Sequence, residues 1–190
     1  ALTKPRAETF NYTMSPKNPS VLINHADIQK RVGELAAEIS AWLEADADAD
    51  APLVLWLAEG ALYFAADLTR NIKCDPLEIR SLKVSSYGLA NASSGNPVIS
   101  GELPDVRGRK VLLVDDILDT GRTLETVHRE LAANGAGEIR TCFLLDKKTG
   151  KSKYLKPDYV GFEIENVFVF GYGFDYSERG RNFPDIMRAE

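Results

Sequence analysis

Residues 111–124 read Val-Leu-Leu-Val-Asp-Asp-Ile-Leu-Asp-Thr-Gly-Arg-Thr-Leu, and this stretch decides the fold. Its four leading apolar residues, two of them β-branched, are typical of a strand buried on both faces of a parallel sheet. Asp115 and Asp116 follow at the carboxyl end of that strand. After Thr120-Gly121, apolar residues recur at helical spacing as far as Asn134-Gly135, which is a helix stop signal. The order of strand, acidic turn and helix predicts an α/β fold whose ligand crevice lies beyond this turn.

The turn has the chemistry of a phosphate cradle. We expect the main-chain N–H groups of residues 119–123 to point outward at the positive end of the helix dipole. Gly121 permits close approach of the backbone, and the hydroxyls of Thr120 and Thr123 supply further donors. Three carboxylates beside a phosphate imply an intervening Mg²⁺ ion, ribose hydroxyl donors, or both. A phosphorylated sugar satisfies all of these requirements.

Two simpler interpretations of the acidic pair are weaker. A Walker-B-like pair in a nucleotide triphosphatase requires a G-x-x-x-x-G-K-[ST] loop, which the sequence lacks. A merely solvated strand end would leave the Asp-Thr-Gly-x-Thr run unexplained. We therefore favour phosphate binding.

Composition excludes several other classes. The 190 residues are 44% hydrophobic and 27% charged, which suits one compact domain with a sizeable core. A net charge of −5 argues against general binding of nucleic acids or anionic membranes. Cys74 and Cys142 lack paired spacing, so we expect reduced thiols, no cysteine metal site and a cytoplasmic location. No signal peptide is recognisable, and no apolar run approaches the ~18 residues of a membrane span.

The remaining elements can be predicted in chain order. Residues 1–20 indicate an irregular arm, and Asn24 with Asp27 indicates the start of a helix. That helix carries one apolar stripe, formed by Ile28, Val32, Leu35, Ile39 and Leu43. Strands are expected at 52–57, 76–87 and 139–145, a helix at about 61–72, and a mobile loop at 88–97. Two short aromatic strands, at 157–163 and 167–176, are expected to form a small hood over the sheet, with Phe162 and Phe170 in the core.

Residues 114–123 resemble the phosphoribosyl pyrophosphate (PRPP) signature of type I phosphoribosyltransferases, and their flanks resemble the hypoxanthine-guanine (6-oxopurine) branch. The similarity runs from about Ile23 to Arg181. It implies the type I fold, a central, mostly parallel sheet flanked by helices with a small hood from the chain termini. The expected organisation is a single domain with its core at about 21–160, its hood at 1–20 and 161–190, and a lid at 86–101.

The resemblance also implies a role for each matching residue. The ribose hydroxyls and Mg²⁺ would lie near Asp115 and Asp116, the phosphate on Asp119, Thr120, Gly121, Arg122 and Thr123, and Asp119 would act as general base. Pyrophosphate would contact the turn Glu59-Gly60, where Glu59 stands in place of the family's usual lysine, and Arg181. Ser86-Tyr87 would begin the lid.

The purine site is likewise implied by the resemblance. Lys147 would donate to the 6-oxo group, which suits an ammonium because it has donors only. Phe168 would stack on the base, the main chain of Val169 would read its edge, and Asp175 would hold Mg²⁺ near the pyrophosphate.

The expected reaction is transfer of the 5-phosphoribosyl group from PRPP to N9 of hypoxanthine or guanine, giving IMP or GMP and pyrophosphate. Xanthine remains an alternative base, and a PRPP-binding regulator without catalysis is an alternative function. The family resemblance favours a homodimer or homotetramer.

Overall fold

The structure is a computed structural model that describes residues 18–44, 51–57, 59–85, 98–150 and 156–189. In chain order these residues form β1 (Ser20–Ile23), α1 (His25–Glu44), β2 (Leu53–Trp56), α2 (Leu62–Asn71), β3 (Glu78–Ser81), β4 (Lys83–Ser85), β5 (Val98–Ser100), β6 (Val111–Leu118), α3 (Arg122–Ala133), β7 (Ile139–Lys148), β8 (Tyr159–Glu165), β9 (Phe168–Phe170) and β10 (Ile186–Ala189). None of the helices in this described part of the chain is both long enough and apolar enough to span a bilayer.

A parallel sheet of five strands forms the centre of the fold. The strand order is β3-β2-β6-β7-β8, and each strand runs parallel to its neighbours. Consecutive residues of β6 point to opposite faces of the sheet, where Leu112 and Val114 pack with α1 and α2. Val111 and Leu113 pack with α3 on the other face. The predicted α/β fold, with a parallel sheet flanked by helices, is confirmed.

The start of α1 is as the sequence predicted. The main-chain N–H of Asp27 donates to Asn24 Oδ1 at 3.0 Å, and Asn24 Nδ2 donates back to Asp27 Oδ2 at 2.7 Å. This reciprocal pair satisfies donors that a helix start leaves unpaired. The predicted apolar stripe of α1 is buried along its length.

The hood differs from the prediction. The expected hood strand at 157–163 is β8, which pairs in parallel with β7 and completes the central sheet. Its start is further held by Asp158, whose Oδ2 accepts hydrogen bonds from the N–H and the hydroxyl of Thr141 in β7. A separate antiparallel sheet, in the order β1-β10-β9, forms the hood. The hood therefore includes residues 20–23, and the central sheet extends to Glu165, beyond the predicted boundary of about 160.

The strand expected at 76–87 is divided into β3 and β4. Leu82 lies between them, is buried, and donates its N–H to the carbonyl of Trp56 at 2.9 Å. β4 then pairs with β5 in an antiparallel ribbon, so residues 98–100 of the predicted lid form a strand. Ile79 is 45% exposed, and its strand, β3, lies at the edge of the sheet. The arm at 1–17 and the lid residues 86–97, including Ser86 and Tyr87, lie outside the described residues.

Candidate active site

The predicted crevice lies where the strand order of the sheet reverses. The chain passes from β2 outward to β3 and then returns to β6 on the other side of β2. At such a switch point the connections after the two inner strands leave on opposite faces of the sheet, which opens a crevice between them. The connection after β2 is a short 3₁₀ turn, Glu59–Ala61, and the connection after β6 leads into α3. These two connections carry Glu59 and Gly60, and residues 119–121 of the predicted phosphate-binding segment.

Gly60 and Asp116 are in direct contact across this crevice. A Cβ atom built on Gly60 would lie 1.7 Å from Asp116 Oδ2, so only glycine fits here. The main chain of Gly60 therefore lies close to the carboxylate of Asp116. Glu59, at the start of the same turn, is exposed.

The acidic pair lies inside β6 instead of beyond its end. The strand continues to Leu118 because β7 runs beside it, with Asp115 opposite Phe143 and Leu118 opposite Asp146. Asp115 and Asp116, predicted at the carboxyl end of this strand, thus lie in its second half, and Leu118 is its last residue. The longer strand holds the two carboxylates on a rigid element rather than on a loop.

Burial shapes the electrostatics of the pair. Burial and the negative charge of Asp116 hold the pKa of Asp115 well above its ordinary value. Burial also raises the pKa of Asp116, although a main-chain hydrogen bond from Ile117 and the charge of Arg181 act in the opposite direction. The N–H of Asp116 donates to Asp115 Oδ1 at 3.0 Å. Two partly buried acids that repel each other favour ligands that bring hydrogen-bond donors or a cation.

The predicted phosphate-binding segment leads into the start of α3. Gly121 is the N-cap of α3 and adopts φ = 78°, a left-handed conformation that glycine accepts without strain. Leu124, Val127 and Leu131 are buried and hold α3 on the sheet. Asp119 and Arg122 are exposed, and Thr120, Gly121 and Thr123 are partly exposed. The start of α3 can thus present main-chain N–H groups and hydroxyls to an anion.

The hood completes the site from the other side. Arg181 Nη1 donates to the carbonyl of Gly173 at 2.6 Å, and Arg181 Nη2 forms an ion pair with Asp175 Oδ1 at 3.0 Å. A Cβ atom on Gly173 would lie only 2.1 Å from the carbonyl oxygen of Gly60. The structure thus brings four of the predicted residues together, namely Gly60, Asp116, Asp175 and Arg181.

The predicted base-binding residues come from two different sheets. Lys147 is near the carboxyl end of β7, inside the strand instead of after it as expected, and is partly exposed. Phe168 and Val169 lie on β9 in the hood, where Phe168 is 50% exposed and Val169 is buried. The ring of Tyr176 packs edge-on against Phe168, with ring centroids 5.8 Å apart. The ring of Phe168 is therefore held by Tyr176, and half of the side chain remains exposed to solvent. Phe170 is buried as predicted, whereas Phe162 is only partly buried against the core.

Sequence analysis missed two residues that pack beside this site. Tyr172 is buried between Gly171 and Gly173, and its hydroxyl donates to Asp67 on α2 at 2.7 Å. The Gly-Tyr-Gly string was the available signal, because a large aromatic between two glycines is typical of a strained turn. Asp67 had no signal of its own, since its partner is 105 residues away.

Comparison with known proteins assigns the family. The phosphoribosyl transferase domain model matches residues 24–177. The hypoxanthine-guanine phosphoribosyltransferase of Aquifex aeolicus (strain VF5) is 40% identical over 176 residues, which are 92% of this chain and 96% of that protein. The hypoxanthine-guanine-xanthine phosphoribosyltransferase of Tritrichomonas foetus is 40% identical over 168 residues, 87% of this chain and 88% of that protein.

A solved structure agrees with this assignment. The crystal structure of a hypoxanthine-guanine phosphoribosyltransferase from Bacillus anthracis, with a HEPES molecule in its active site, superposes with a TM-score of 0.81 at 32% identity. The match covers 93% of this chain and 100% of the other chain. Sequence and fold together establish that this chain belongs to the hypoxanthine-guanine branch of the phosphoribosyltransferase family.

Proposed function

We propose that the protein transfers the 5-phosphoribosyl group of PRPP to N9 of hypoxanthine or guanine and releases pyrophosphate, as a purine salvage enzyme. The observation that carries the proposal is the convergence of Gly60, the Asp115-Asp116 pair and the start of α3 at the switch point of the sheet. These groups suit the ribose and two phosphate ends of one substrate. The names of the relatives agree with this reaction.

Each part of PRPP has matching groups in the crevice. Its 5′-phosphate is proposed to bind residues 119–123, where N–H groups and threonine hydroxyls are donors. Its ribose hydroxyls would donate to Asp115 and Asp116, whose raised pKa values favour such donors over a second anion. Its pyrophosphate would lie against Gly60 and Arg181, because the guanidinium can pair with two phosphate oxygens at once.

The purine would stack on the exposed face of Phe168. Lys147 would donate to its 6-oxo group, and the main chain of Val169 would contact its edge. Lys147 has no acceptor to offer the 6-amino group of adenine, so adenine should be a poor substrate.

Asp119 is proposed to accept the proton from the imidazole ring of the base as N9 attacks C1′ and pyrophosphate leaves. Positive charge develops on the ribose in this step, and the carboxylates of β6 are placed to stabilise it. Removal of the proton acceptor should therefore slow the chemical step on the order of 10²-fold or more.

Mg²⁺ is the proposed cofactor. Within the described residues, no group of three or more His, Cys, Asp or Glu side chains could hold a metal by itself. A site with only one or two protein carboxylates fits Mg²⁺, which is usually held by such a set together with substrate phosphates. Asp175 and the Asp115-Asp116 pair are the candidate ligands, and when bound the ion would neutralise charge on the leaving pyrophosphate.

The decisive experiment measures nucleotide formation from PRPP and Mg²⁺ with hypoxanthine, guanine, xanthine and adenine. Xanthine is included because the T. foetus relative is named for all three 6-oxopurines. We expect turnover of 6-oxopurines that falls at least about 10²-fold in Asp119→Asn. Asp105→Asn is the matched control, since Asp105 is an exposed carboxylate paired with Arg107 on the surface.

Two other results would change the proposal. Near-normal turnover by Asp119→Asn would remove the general base role. PRPP binding without turnover of any purine would instead favour the regulator that the sequence left open.

We further propose a homodimer or homotetramer that works in the cytoplasm. Support for self-association is an exposed apolar patch that includes Leu62 and Ile79, which are 51% and 45% exposed. A groove of about 200 Å³, lined by Trp56, Leu62, Ala65, Ala66, Thr69 and Ile79, lies within this patch. Patches of clustered apolar side chains often mark protein interfaces. Both cysteines, Cys74 and Cys142, are free thiols, which suits a reducing compartment.

A further inference from the structure

A partly buried hydrogen-bond network joins α2 to the turn that follows β9. Asp67 Oδ2 accepts hydrogen bonds from the hydroxyl of Tyr172 and from Gln29 Nε2, each at 2.7 Å. The other oxygen of Asp67 pairs with Arg70 one turn further along the helix. Tyr172 is only 4% exposed, so its bond to Asp67 is shielded from water. The proposed reaction uses none of these side chains.

The main chain of Tyr172 is in an unusual conformation. Its φ is 47°, in the left-handed region that bulky residues rarely occupy, and it stands between Gly171 at 89° and Gly173 at 101°. A residue stays in such a conformation only when its surroundings hold it there. Here the hydroxyl is held by Asp67, the ring lies 6.3 Å from that of Tyr63, and the N–H donates to the carbonyl of Phe183 at 2.8 Å.

This turn carries the hood half of the proposed pyrophosphate site. The N–H of Gly173 donates to the carbonyl of Arg181 at 2.9 Å, and Arg181 Nη1 donates back to the carbonyl of Gly173 at 2.6 Å. Gly173 also lies against the carbonyl of Gly60, where no side chain could fit. Any shift of Tyr172 would therefore move both Arg181 and the wall of the Gly60 turn.

The other half of the site belongs to α2. Gly60 lies in the 3₁₀ turn that leads directly into α2, and Asp67 is in the second turn of that helix. The Tyr172 hydroxyl thus connects the hood to the element that positions Gly60.

We propose that Tyr172 and Asp67 are positioning residues, whose hydrogen bond sets the separation between Arg181 and Gly60 and thereby the fit of the PRPP pyrophosphate. This inference rests on the proposed function. Small displacements in a binding site have large effects, because substrate groups must meet their partners within a fraction of an ångström.

The protonation states of Tyr172 and Asp67 favour a persistent hydrogen bond between them. Burial, reinforced by the hydrogen bond to Asp67, raises the pKa of Tyr172, so its hydroxyl remains a donor. Burial tends to raise the pKa of Asp67, but hydrogen bonds from Tyr172, Gln29 and Arg70 outweigh it and leave this pKa below its ordinary value. Donor and acceptor therefore keep their roles throughout the neutral pH range.

The test is Tyr172→Phe, which removes one oxygen and keeps the ring. We expect the dissociation constant and the KM for PRPP, measured with Mg²⁺, to rise about tenfold, as for loss of a hydrogen bond to a charged group. The KM for hypoxanthine at saturating PRPP should stay within about twofold, since the Phe168 surface does not depend on this bond. A general loss of structure would raise both constants together.

Tyr159→Phe is the matched control. Tyr159 is also buried, and its hydroxyl accepts a hydrogen bond from Arg140 Nη1 at 2.8 Å. It lies at the start of β8, at the opposite end of the parallel strands from the site. We expect Tyr159→Phe and Tyr172→Phe both to lower the unfolding temperature, and Tyr159→Phe to leave the KM for PRPP unchanged.

Changes at Asp67 provide a second test. Asp67→Asn keeps an oxygen that can accept from Tyr172, so it should retain more PRPP affinity than Asp67→Ala. The effects of Asp67→Ala and Tyr172→Phe should be less than additive in the double variant, because both remove the same contact.

Three results would overturn the inference or separate it from the proposed function. Unchanged PRPP affinity in Tyr172→Phe, or a loss no larger than in Tyr159→Phe, would refute the positioning role. Wild-type protein that binds PRPP but converts no purine would refute the proposed function, while the PRPP dissociation constants would still decide the role of Tyr172. Wild-type protein that does not bind PRPP would refute both.

Discussion

Three glycines contribute to the candidate site by having no side chain. Gly60 leaves room for the carboxylate of Asp116, Gly173 leaves room for the carbonyl of Gly60, and Gly121 turns the chain into α3 through a left-handed conformation. Main-chain groups of the crevice can therefore approach one another, and a ligand, more closely than side chains would allow.

Substitution of Gly60 should test this close packing. In Gly60→Ala the new methyl group would overlap Asp116 Oδ2, so the carboxylate of Asp116 or the 3₁₀ turn must shift. We expect kcat/KM for PRPP to fall on the order of 10²-fold, because the proposed phosphate and ribose contacts would no longer align. Steady-state kinetics with varied PRPP measures the effect.

Gly33→Ala is the control for the same chemical change. A Cβ atom there meets nothing within 4 Å, and Gly33 lies in the middle of α1. Alanine should stabilise the helix by about 0.5–1 kcal/mol without a change in kinetics. Wild-type kinetics in Gly60→Ala would contradict the close contact with Asp116.

The Asp115-Asp116 pair should lower the free energy of unfolding of the ligand-free protein. Burial and mutual repulsion make the charged form of Asp115 unfavourable, as its raised pKa indicates. Asp115→Asn should therefore raise the unfolding temperature at neutral pH and weaken PRPP binding at least about tenfold. Thermal unfolding and PRPP titration of the same preparation measure both effects. A variant that is destabilised and binds PRPP normally would contradict this account of the pair.

At the scale of elements, the sequence predicted the features that are stabilised by contacts between residues close together in the chain. The start of α1 was readable because Asn24 and Asp27 satisfy each other within three residues, and its stripe because one face of the helix meets the core. The partner of β8 was not readable. Its residues 157–163 have the composition of any aromatic strand. Its place in the central sheet depends on parallel pairing with β7 and on the contact of Asp158 with Thr141, 17 residues away.

The end of α1 offers a prediction about pH. Trp42 Nε1 donates to Glu138 Oε2 at 2.8 Å, and Arg140 Nε donates to Glu138 Oε1 at 2.8 Å. The hydrogen bond from Trp42, and then that from Arg140, lowers the pKa of Glu138 in the folded protein. A lowered folded-state pKa gives stability that is present above the ordinary pKa of 4.5 and is lost as the pH falls through the folded value.

Glu138→Gln should accordingly be less stable than wild type near pH 7, with a difference that shrinks as the pH falls below about 4. Thermal unfolding followed by circular dichroism at several pH values measures this difference. The exposed Glu102→Gln serves as control. A difference that grows on acidification would contradict the assigned sign.

At the scale of the whole molecule, the sequence predicted those residues of the candidate site that lie in one continuous segment. Residues 115–123 run without a break from the end of β6 into the start of α3 and were identified together, whereas the bond from Tyr172 to Asp67 depends on how distant segments meet. The same limit applies to Asp175 and Arg181. Their resemblance to known residues was visible, but their ion pair and their approach to Gly60 depend on the hood.

Self-association through the apolar patch is a prediction about the whole molecule. Ile79→Lys would place a charge in the groove that Ile79 shares with Leu62, and burying that charge in an interface would be unfavourable. We expect sedimentation velocity to show wild-type oligomers and a shift to monomer in the variant. Val21→Lys is the control, since Val21 is equally exposed but lies on the hood strand β1. Identical sedimentation of Ile79→Lys and wild type would exclude this patch as the interface.

The alternation of β6 between two cores has a consequence for how the sequence can diverge. Leu112 and Val114 pack against α1 and α2, while Val111 and Leu113 pack against α3. A replacement on one face can be compensated by repacking on that face alone, because the backbone of the sheet separates the two sets. During evolution, odd and even positions of this strand should therefore co-vary with different helices, and the α3 side could drift independently of the hood side.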